Sequence, residues 1–423
     1  MNTPTGGSAA ARRIVLGVSG GIAAYKACEL LRRLTEAGHD VTVVPTEAAL
    51  RFVGEPTWSA LSGKPVRTSV WDDVHRVPHV RLGQDADLVV VAPATADLMA
   101  KAAHGLADDL LSTTLLTARC PVVLVPAMHT EMWEHPATRD NVAALRLRGV
   151  LVVEPASGRL TGADSGPGRL PEPEAIAGVC ERVLVRGSMA ASALDLAGLT
   201  VLVSAGGTRE PIDPVRFIGN RSSGLQGYAL ASAAVARGAR VVLVSANVSL
   251  PDPAGVDVER VQTAADLRDT VLRLVGEVDV VVMAAAVADF RPTTVAASKI
   301  KREAADLAAV LDSLMLERTD DVLALVVAAR GARGSSGPVV VGFAAETGDA
   351  GRSVLDHARE KLDRKGVDLL VVNDVSGGQV FGDSHNTVSI LGRDGSQVEV
   401  PKASKDVVAD VVWDRVMALR AAQ

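Results

Sequence analysis

Residues 13–21 read Arg13-Ile14-Val15-Leu16-Gly17-Val18-Ser19-Gly20-Gly21, followed by an amphipathic stretch to Gly38 and a second apolar run, Val41-Thr42-Val43-Val44. An apolar strand, a glycine turn, a helix closed by glycine and another apolar strand open a βαβ unit. Its crossover demands parallel pairing. The same grammar returns at Thr200-Val201-Leu202-Val203-Ser204-Ala205-Gly206-Gly207, with a helix ending near Gly238 and then Val241-Val242-Leu243-Val244. Working outward, further apolar runs fall at Leu88–Ala92, Val122–Val125 and Leu151–Val153, then at Val278–Met283, Val339–Phe343 and Leu369–Val372. Short runs of this kind suit strands buried on both faces of a parallel sheet. The fold class they predict is α/β, with two doubly wound, mostly parallel-sheet domains in tandem.

Length agrees, since 423 residues suffice for two or three domains, each with its own core. Small residues from Gly187 to Ala193 interrupt the pattern. They predict a first domain over residues 1–185, a linker over 186–198 and a second domain over 199–423. Ala156 to Pro173, rich in Gly, Pro and Ser, is too long for an ordinary connection and reads as a loop forming an active-site flap. Thr208 to Gly224 reads as a second loop, overhanging the crevice of the other domain. Alternation at Thr387–Ile390 and Gln397–Val400 predicts a hairpin-like edge before a final helix from about Ser404.

Composition excludes several classes. Collagen-like, disordered and coiled-coil chains do not combine 38 Gly and 20 Pro with 48% apolar and 22% charged residues. A net charge of -6 argues against a nucleic-acid groove along the chain. Mean hydropathy is positive, yet the run Val280–Ala288 is bounded by Asp279 and Asp289, far short of the roughly 18 residues a membrane span needs. Met1 to Arg13 carries no apolar stretch resembling a signal peptide. Cys28, Cys120 and Cys180 have neither pair nor metal-ligand spacing. These features predict a soluble, reduced, cytoplasmic protein.

Backbone N–H groups at a strand-to-helix glycine turn bind phosphate. Neither turn has the dinucleotide pattern G-x-G-x-x-G, the strand at Val41 ends in Pro45-Thr46 where a ribose-binding acid would stand, and no P-loop occurs. A phosphate-bearing ligand in each half is expected, but not a nicotinamide. The alternative is that these glycines serve only close helix–sheet packing.

In the first half, Ala92-Pro93-Ala94-Thr95 closes one strand, with small residues that let a flat ring approach the backbone. Pro126-Ala127-Met128-His129-Thr130-Glu131-Met132-Trp133 closes the next, where Met132 and Trp133 read as a pocket lining. An imidazole titrates where a general base is useful, but residue type alone leaves His75, His79 and His129 indistinguishable. Three stretches resemble the signatures of the flavin-containing cysteine decarboxylases: Gly17 to Lys26, Ala92 to Asp97, and Pro126-Ala127-Met128-x3-Met132-Trp133. The resemblance implies FMN held by Gly17, Ser19, Gly20, Gly21, Ile22, Thr46, Ala92, Pro93, Ala94, Thr95 and Ser112. It makes His79 the base, and Met128, His129, Asp164 and Arg169 substrate contacts. The chain departs from the family twice: His129 stands where an Asn meets the substrate carboxylate, and Gly162 where the flap carries a proton-donating Cys.

In the second half, Gly206-Gly207-Thr208-Arg209-Glu210-Pro211-Ile212-Asp213-Pro214-Val215-Arg216-Phe217-Ile218-Gly219-Asn220-Arg221-Ser222-Ser223-Gly224 is dense in donors and suits a substrate with a phosphate and an amide. Asp289, directly after a buried run, can hold Mg²⁺ against phosphate oxygens. Lys361 and Lys365 share one helical face. With Ala284 to Pro292, Lys299-Ile300-Lys301, Gly342 to Thr347 and Asn373-Asp374-Val375, this block is similar to phosphopantothenate–cysteine ligases of bacterial coenzyme A synthesis. That resemblance implies CTP at Ala286, Asp289, Lys299, Asp320, Asp321, Val322, Leu323, Phe343, Lys361 and Lys365. It places phosphopantothenate at Arg216, Asn220 and Arg221, and a metal at Asp289, with Asn220 and Lys299 catalytic.

Decarboxylase followed by ligase is the order of the fused bifunctional family. The implied sequence is ligation of cysteine to 4'-phosphopantothenate through an acyl-cytidylate, releasing pyrophosphate and CMP. FMN-dependent oxidation of the product thiol and loss of CO₂ then give 4'-phosphopantetheine. The family also implies a homo-oligomer with flavin sites between subunits. Two rivals are a flavin-binding regulatory protein with an impaired decarboxylase, favoured by Gly162 and His129, and a nicotinamide reductase, opposed by both glycine turns.

Overall fold

The computed structural model describes residues 11–67, 78–159, 165–186, 194–300, 315–331, 337–346, 353–374 and 385–422. The chain divides into two compact units between Ala193 and Leu194.

In the first unit, strands β1 (Arg13–Val18), β2 (Asp40–Pro45), β3 (Leu88–Ala94), β4 (Val122–Pro126) and β5 (Leu151–Val152) form one parallel sheet in the order β2-β1-β3-β4-β5. Period-two alternation sends Ile14, Leu16 and Val18 into one core and Val15 into the other. Around the sheet lie α1 (Ala24–Glu36), α2 (Glu47–Leu50), α3 (Glu55–Ser62), α4 (Pro78–Asp85), α5 (Ala96–His104), α6 (Leu110–Thr117), α7 (Thr130–Glu134), α8 (Pro136–Leu147) and α9 (Pro173–Arg186). Ala24, Ala27, Leu30, Leu31 and Leu34 form the buried stripe of α1. Gly38, at φ +92°, then turns the chain into β2 in the left-handed conformation that favours glycine.

The stretch expected as a loop at Ala156–Pro173 contains a hairpin instead. Strands β6 (Ala156–Arg159) and β7 (Ser165–Arg169) pair antiparallel, and Pro173 opens α9.

The second unit contains β8 (Thr200–Gly206), β9 (Arg209–Pro211), β10 (Phe217–Gly219), β11 (Arg240–Ala246), β12 (Val256–Val261), β13 (Val280–Met283), β14 (Phe290–Pro292), β15 (Leu316–Arg318), β16 (Val339–Glu346), β17 (Leu369–Asp374), β18 (His385–Gly392) and β19 (Gln397–Ser404). Its main sheet runs β12-β11-β8-β13-β16-β17-β18-β19. The first six strands pair in parallel, and the terminal hairpin adds antiparallel to β17. Val201 and Val203 face one core, Leu202 the other. Gly238, at φ +91°, closes the helix Leu225–Ala236 as Gly38 closes α1.

Two details differ from expectation. Leu196 is fully buried in the second core, so the last part of the expected linker belongs to that unit. The Thr208–Gly224 loop contains the short hairpin β9–β10. No helix among the described residues is long and apolar enough to cross a membrane.

Candidate active sites

The first sheet order reverses direction between β1 and β3, and open α/β sheets bind ligands outside the carboxyl ends of strands at such a point. Several expected flavin residues converge there. The buried Ser19 hydroxyl donates to the Pro93 carbonyl at 2.7 Å and accepts from the Thr95 N–H at 2.9 Å. Thr46 ties its N–H to the Val18 carbonyl at 2.9 Å and caps α2 by accepting from Ala49 N–H. Thr95 caps α5 in the same way, accepting from Leu98 N–H.

The glycines divide by role. A Cβ on Gly17 would lie 2.5 Å from Leu111 Cδ1, and one on Gly20 2.4 Å from Ala48 Cβ, so both serve close packing of α6 and α2. A Cβ on Gly21 would meet nothing nearer than Thr95 Cγ2 at 3.8 Å. Room for a flat ligand therefore opens at Gly21 and the exposed Ile22, beside the small residues Ala92 to Ala94. Ser112 is buried in the capping box of α6 with Asp109, accepting from Asp109 N–H at 3.1 Å. This cradle of small residues, hydroxyls and helix N-termini fits a flavin mononucleotide.

The flap is stitched to the β4 end. Met128 N–H donates to the Gly168 carbonyl at 2.9 Å, and a Cβ on Gly168 would lie 2.2 Å from Met128 O. Met128, His129 and Arg169 are thereby brought together. Arg169 meets Glu172 at 2.5 Å, and the same carboxylate takes Lys26 Nζ at 2.9 Å. Burial alone would raise the Glu172 carboxyl; the Lys26 and Arg169 cations hold it below the usual range. Lys26 thus links α1 to the base of the flap, a role its place in the first signature does not announce.

His129 is exposed at the N-cap of α7 without capping it. The pocket-lining reading of Trp133 is corrected: the indole is 3% exposed, packed in the core on that face of the sheet, with Arg139 stacked over it. Met132 remains exposed. His79 falls in the first turn of α4, ahead of β3. Its side chain, Asp164, Gly162 and His75 lie outside the described residues.

In the second unit the order of the parallel strands is third, second, first, fourth, fifth, sixth, with the switch point between β8 and β13. The Gly207 turn crosses it. Ala286 N–H donates to Gly206 O at 2.8 Å, and Thr208 N–H to Ala286 O at 3.2 Å. Both polar backbone groups of Ala286 are thus engaged. Gly206, at φ +87°, would carry a Cβ 2.0 Å from Ala246 O, so only glycine fits.

Side chains of the donor-rich block face other loops. The buried Thr208 hydroxyl accepts from Ala288 N–H at 2.9 Å, Glu210 from Ala264 N–H at 2.8 Å, and Asp213 from Ile300 N–H at 3.2 Å. The Asn220 amide donates to Val287 O at 2.8 Å. Asp289 is exposed beside Ala288, whose carbonyl accepts from the Thr319 hydroxyl at 2.5 Å. Arg216, Arg221 and Lys299 are exposed around the block.

Asp321 accepts from Ala324 N–H, opening the helix Val322–Gly331, and pairs with Lys365. Burial would raise its carboxyl, but Lys365 and the helix N–H hold it below the usual range. Val322 is buried in the core, Leu323 and Phe343 pack against cores, and Asp320 pairs with Arg268. Residues 320–323 therefore present a helix N-terminus, with the side chains of Val322 and Leu323 turned inward. Lys361 lies one turn before Lys365 on the helix Val354–Lys365.

A family model described as Flavoprotein matches residues 3–184, and one described as DNA/pantothenate metabolism flavoprotein C-terminal domain matches residues 196–419. The coenzyme A biosynthesis bifunctional protein CoaBC of Mycolicibacterium smegmatis is 58% identical over 417 residues, covering 98% of this chain and 99% of that one. The chain belongs to this bifunctional family. The Bacillus subtilis member is 42% identical over 412 residues, covering 96% and 97%. Among solved structures, a C-terminal domain of a bifunctional protein CoaBC is 34% identical, with a TM-score of 0.44, covering 55% of this chain and 100% of that one. A phosphopantothenoylcysteine (PPC) decarboxylase mutant is 30% identical, with a TM-score of 0.38, covering 40% and 97%. The chain is a bifunctional enzyme of coenzyme A biosynthesis, a phosphopantothenoylcysteine decarboxylase joined to a phosphopantothenate–cysteine ligase.

Proposed function

We propose that the second unit joins cysteine to 4'-phosphopantothenate at the expense of CTP, and that the first decarboxylates the product with FMN. The observation that carries this division is the pair of switch-point crevices, one per unit, each floored by a glycine turn and of different construction. The first is lined by small residues, hydroxyls and the exposed Ile22, suiting a ring and one phosphate. The second is followed by the donor-rich block with the exposed Arg216 and Arg221, and Lys299 is exposed on a segment bonded to it, suiting a triphosphate and a phosphorylated acid.

In the ligase unit, Lys299 and the N–H groups at Val322 and Leu323 balance phosphate charge as the 4'-phosphopantothenate carboxylate attacks the α-phosphorus. Mg²⁺, held by Asp289, would screen the phosphate oxygens. Arg216 and Arg221 hold the substrate phosphate. Asn220, its amide fixed by Val287 O, positions the acyl-cytidylate for attack by the cysteine amine, and CMP leaves.

In the decarboxylase unit, FMN supplies the reversible two-electron oxidation of the thiol that lets CO₂ depart. His79 handles the proton, while Met128, His129, Asp164 and Arg169 orient the substrate under the flap. Exposed Ile22 and Tyr25 beside the crevice support a homo-oligomer in which a second copy completes the flavin site. Reduced Cys28, Cys120 and Cys180 support a cytoplasmic setting.

Mass spectrometry of products from 4'-phosphopantothenate, cysteine, CTP and Mg²⁺ tests the reading. Appearance of 4'-phosphopantetheine with CMP and pyrophosphate is expected. Equal turnover with ATP would overturn the nucleotide assignment. Accumulation of the phosphopantothenoylcysteine acid by FMN-loaded protein would overturn the proposal for the first unit.

A further inference from the structure

We propose that Asp213 is a positioning residue for ligation, a buried bridge that fixes the segment carrying Lys299 against the segment carrying Arg216. The inference rests on the proposed role of Lys299 in holding CTP.

Asp213 sits in the connection between β9 and β10. Its Oδ1 accepts from the Val215 N–H at 2.7 Å and the Arg216 N–H at 2.8 Å, an Asx turn that folds residues 213–216. That turn would form equally well with the second oxygen in water. Here Oδ2 points inward, accepting from the Ile300 N–H at 3.2 Å and meeting Arg216 Nη1 at 3.3 Å. The side chain is 0% exposed. Arg216 completes the link by donating through Nη2 to the Ile300 carbonyl at 3.1 Å, and Ala296 N–H donates to Ile212 O at 2.9 Å.

The segment 296–300 is therefore fastened at Ala296 and Ile300, and Lys299 projects from just before the second fastening. Burying a carboxylate is costly unless every donor around it is in place. A hairpin needing only stability would not require one. The arrangement is instead suited to setting two charged groups, Lys299 and Arg216, in one fixed relation. Each is assigned to a different substrate of the same reaction. One misplaced contact of this kind costs roughly 100-fold in rate when reacting groups must be aligned.

Three variants test the bridge in the full-length, FMN-loaded enzyme. Asp213→Asn has one acceptor oxygen, so its amide must face either the turn N–H groups or Ile300 N–H. Asp213→Ser can keep the local turn through its hydroxyl but cannot span to Ile300. Lys299→Ala removes the group being positioned. CTP affinity is read by titration calorimetry and pyrophosphate release by a coupled assay. Decarboxylation of supplied 4'-phosphopantothenoylcysteine and the second unit's own unfolding transition report on folding.

Asp213→Asn and Asp213→Ser are each expected to weaken CTP binding by roughly 10-fold to 100-fold, with both folding readouts retained. The double variant Asp213→Ser/Lys299→Ala is expected to bind CTP no more weakly than Lys299→Ala alone. Multiplicative losses in the double variant would overturn the proposal, because Asp213 would then act independently of Lys299. So would an Asp213→Ser enzyme with unchanged affinity, or one whose second unit no longer unfolds cooperatively. A Lys299→Ala enzyme with undiminished affinity and turnover would refute the role of Lys299 itself, a failure distinguishable from failure of the bridge.

Discussion

Replacing Ser19 by Ala removes one hydroxyl and nothing else. That hydroxyl is 2% exposed, donates to Pro93 O at 2.7 Å and accepts from Thr95 N–H at 2.9 Å. The Pro93 carbonyl keeps a second donor, Ser19 N–H at 3.2 Å, so the group left without a partner is the Thr95 N–H. A lost hydrogen bond costs about 0.5–1.5 kcal/mol and an orphaned donor about 1–3 kcal/mol, for a total of roughly 1.5–4.5 kcal/mol. In a unit of this size each kcal/mol moves the midpoint by about 2–4 °C, so the first unit's Tm should fall by roughly 3–18 °C. Calorimetry on flavin-free protein reads that transition, with the second unit's transition as an internal control. Flavin affinity should fall in parallel, because Thr95 caps α5 at the rim of the crevice. A first-unit midpoint within about 1 °C of the parent protein would show that the Ser19 clip does not hold the glycine turn to the β3 end.

The two activities should separate by mutation: His79→Asn should abolish CO₂ release while pyrophosphate release continues, and Lys299→Ala should do the reverse. Loss of both activities in either folded variant would refute the division of labour. Gly206→Ala should destabilise the second unit by about 3 kcal/mol or more, since φ is +87° and the new Cβ meets Ala246 O at 2.0 Å. Ligation should be lost and flavin binding retained, as read by product assay and flavin fluorescence. Asp266, in the capping box of the helix Ala264–Leu274, is held below the usual carboxylate range by the Thr263 N–H. A depressed folded pKa contributes stability above the unfolded value and loses it as pH falls through the folded one. The Tm difference between parent and Asp266→Ala should therefore be full at neutral pH and narrow below about pH 4. A difference that stays constant down to the acid end would count against the cap.

Central strands were the most legible part of the fold. Every residue of β3 is buried, and β8 and β11 differ only at their first residues. Burial on both faces leaves an apolar run that no other element explains. Strand β12 shows the opposite case. Val256, Asp257, Val258 and Glu259 alternate at a sheet edge, half-buried or exposed, and the sequence reading contains no strand there. Hairpins β6–β7 and β9–β10 were hidden in Gly- and Pro-rich stretches. Their pairing is supported by contacts outside their own sequence, Gly168 on Met128 and Asp213 on Ile300. The Met132–Trp133 pair misled because adjacent residues on α7 point in different directions, one to solvent and one to the core.

The two α/β units, the glycine turns and the donor-rich block are all legible along the chain. Those features rest on local physics: strand hydrophobicity, glycine at left-handed backbone, and motifs contiguous along the chain. Tertiary structure decided what each polar group does. Ser19 meets Pro93 across 74 residues and Asp213 meets Ile300 across 87. Lys26 is spent on Glu172, and Asp321 is shared between a helix cap and Lys365. A buried polar atom must find a partner wherever the fold supplies one, and that choice is settled by distance in space rather than along the chain.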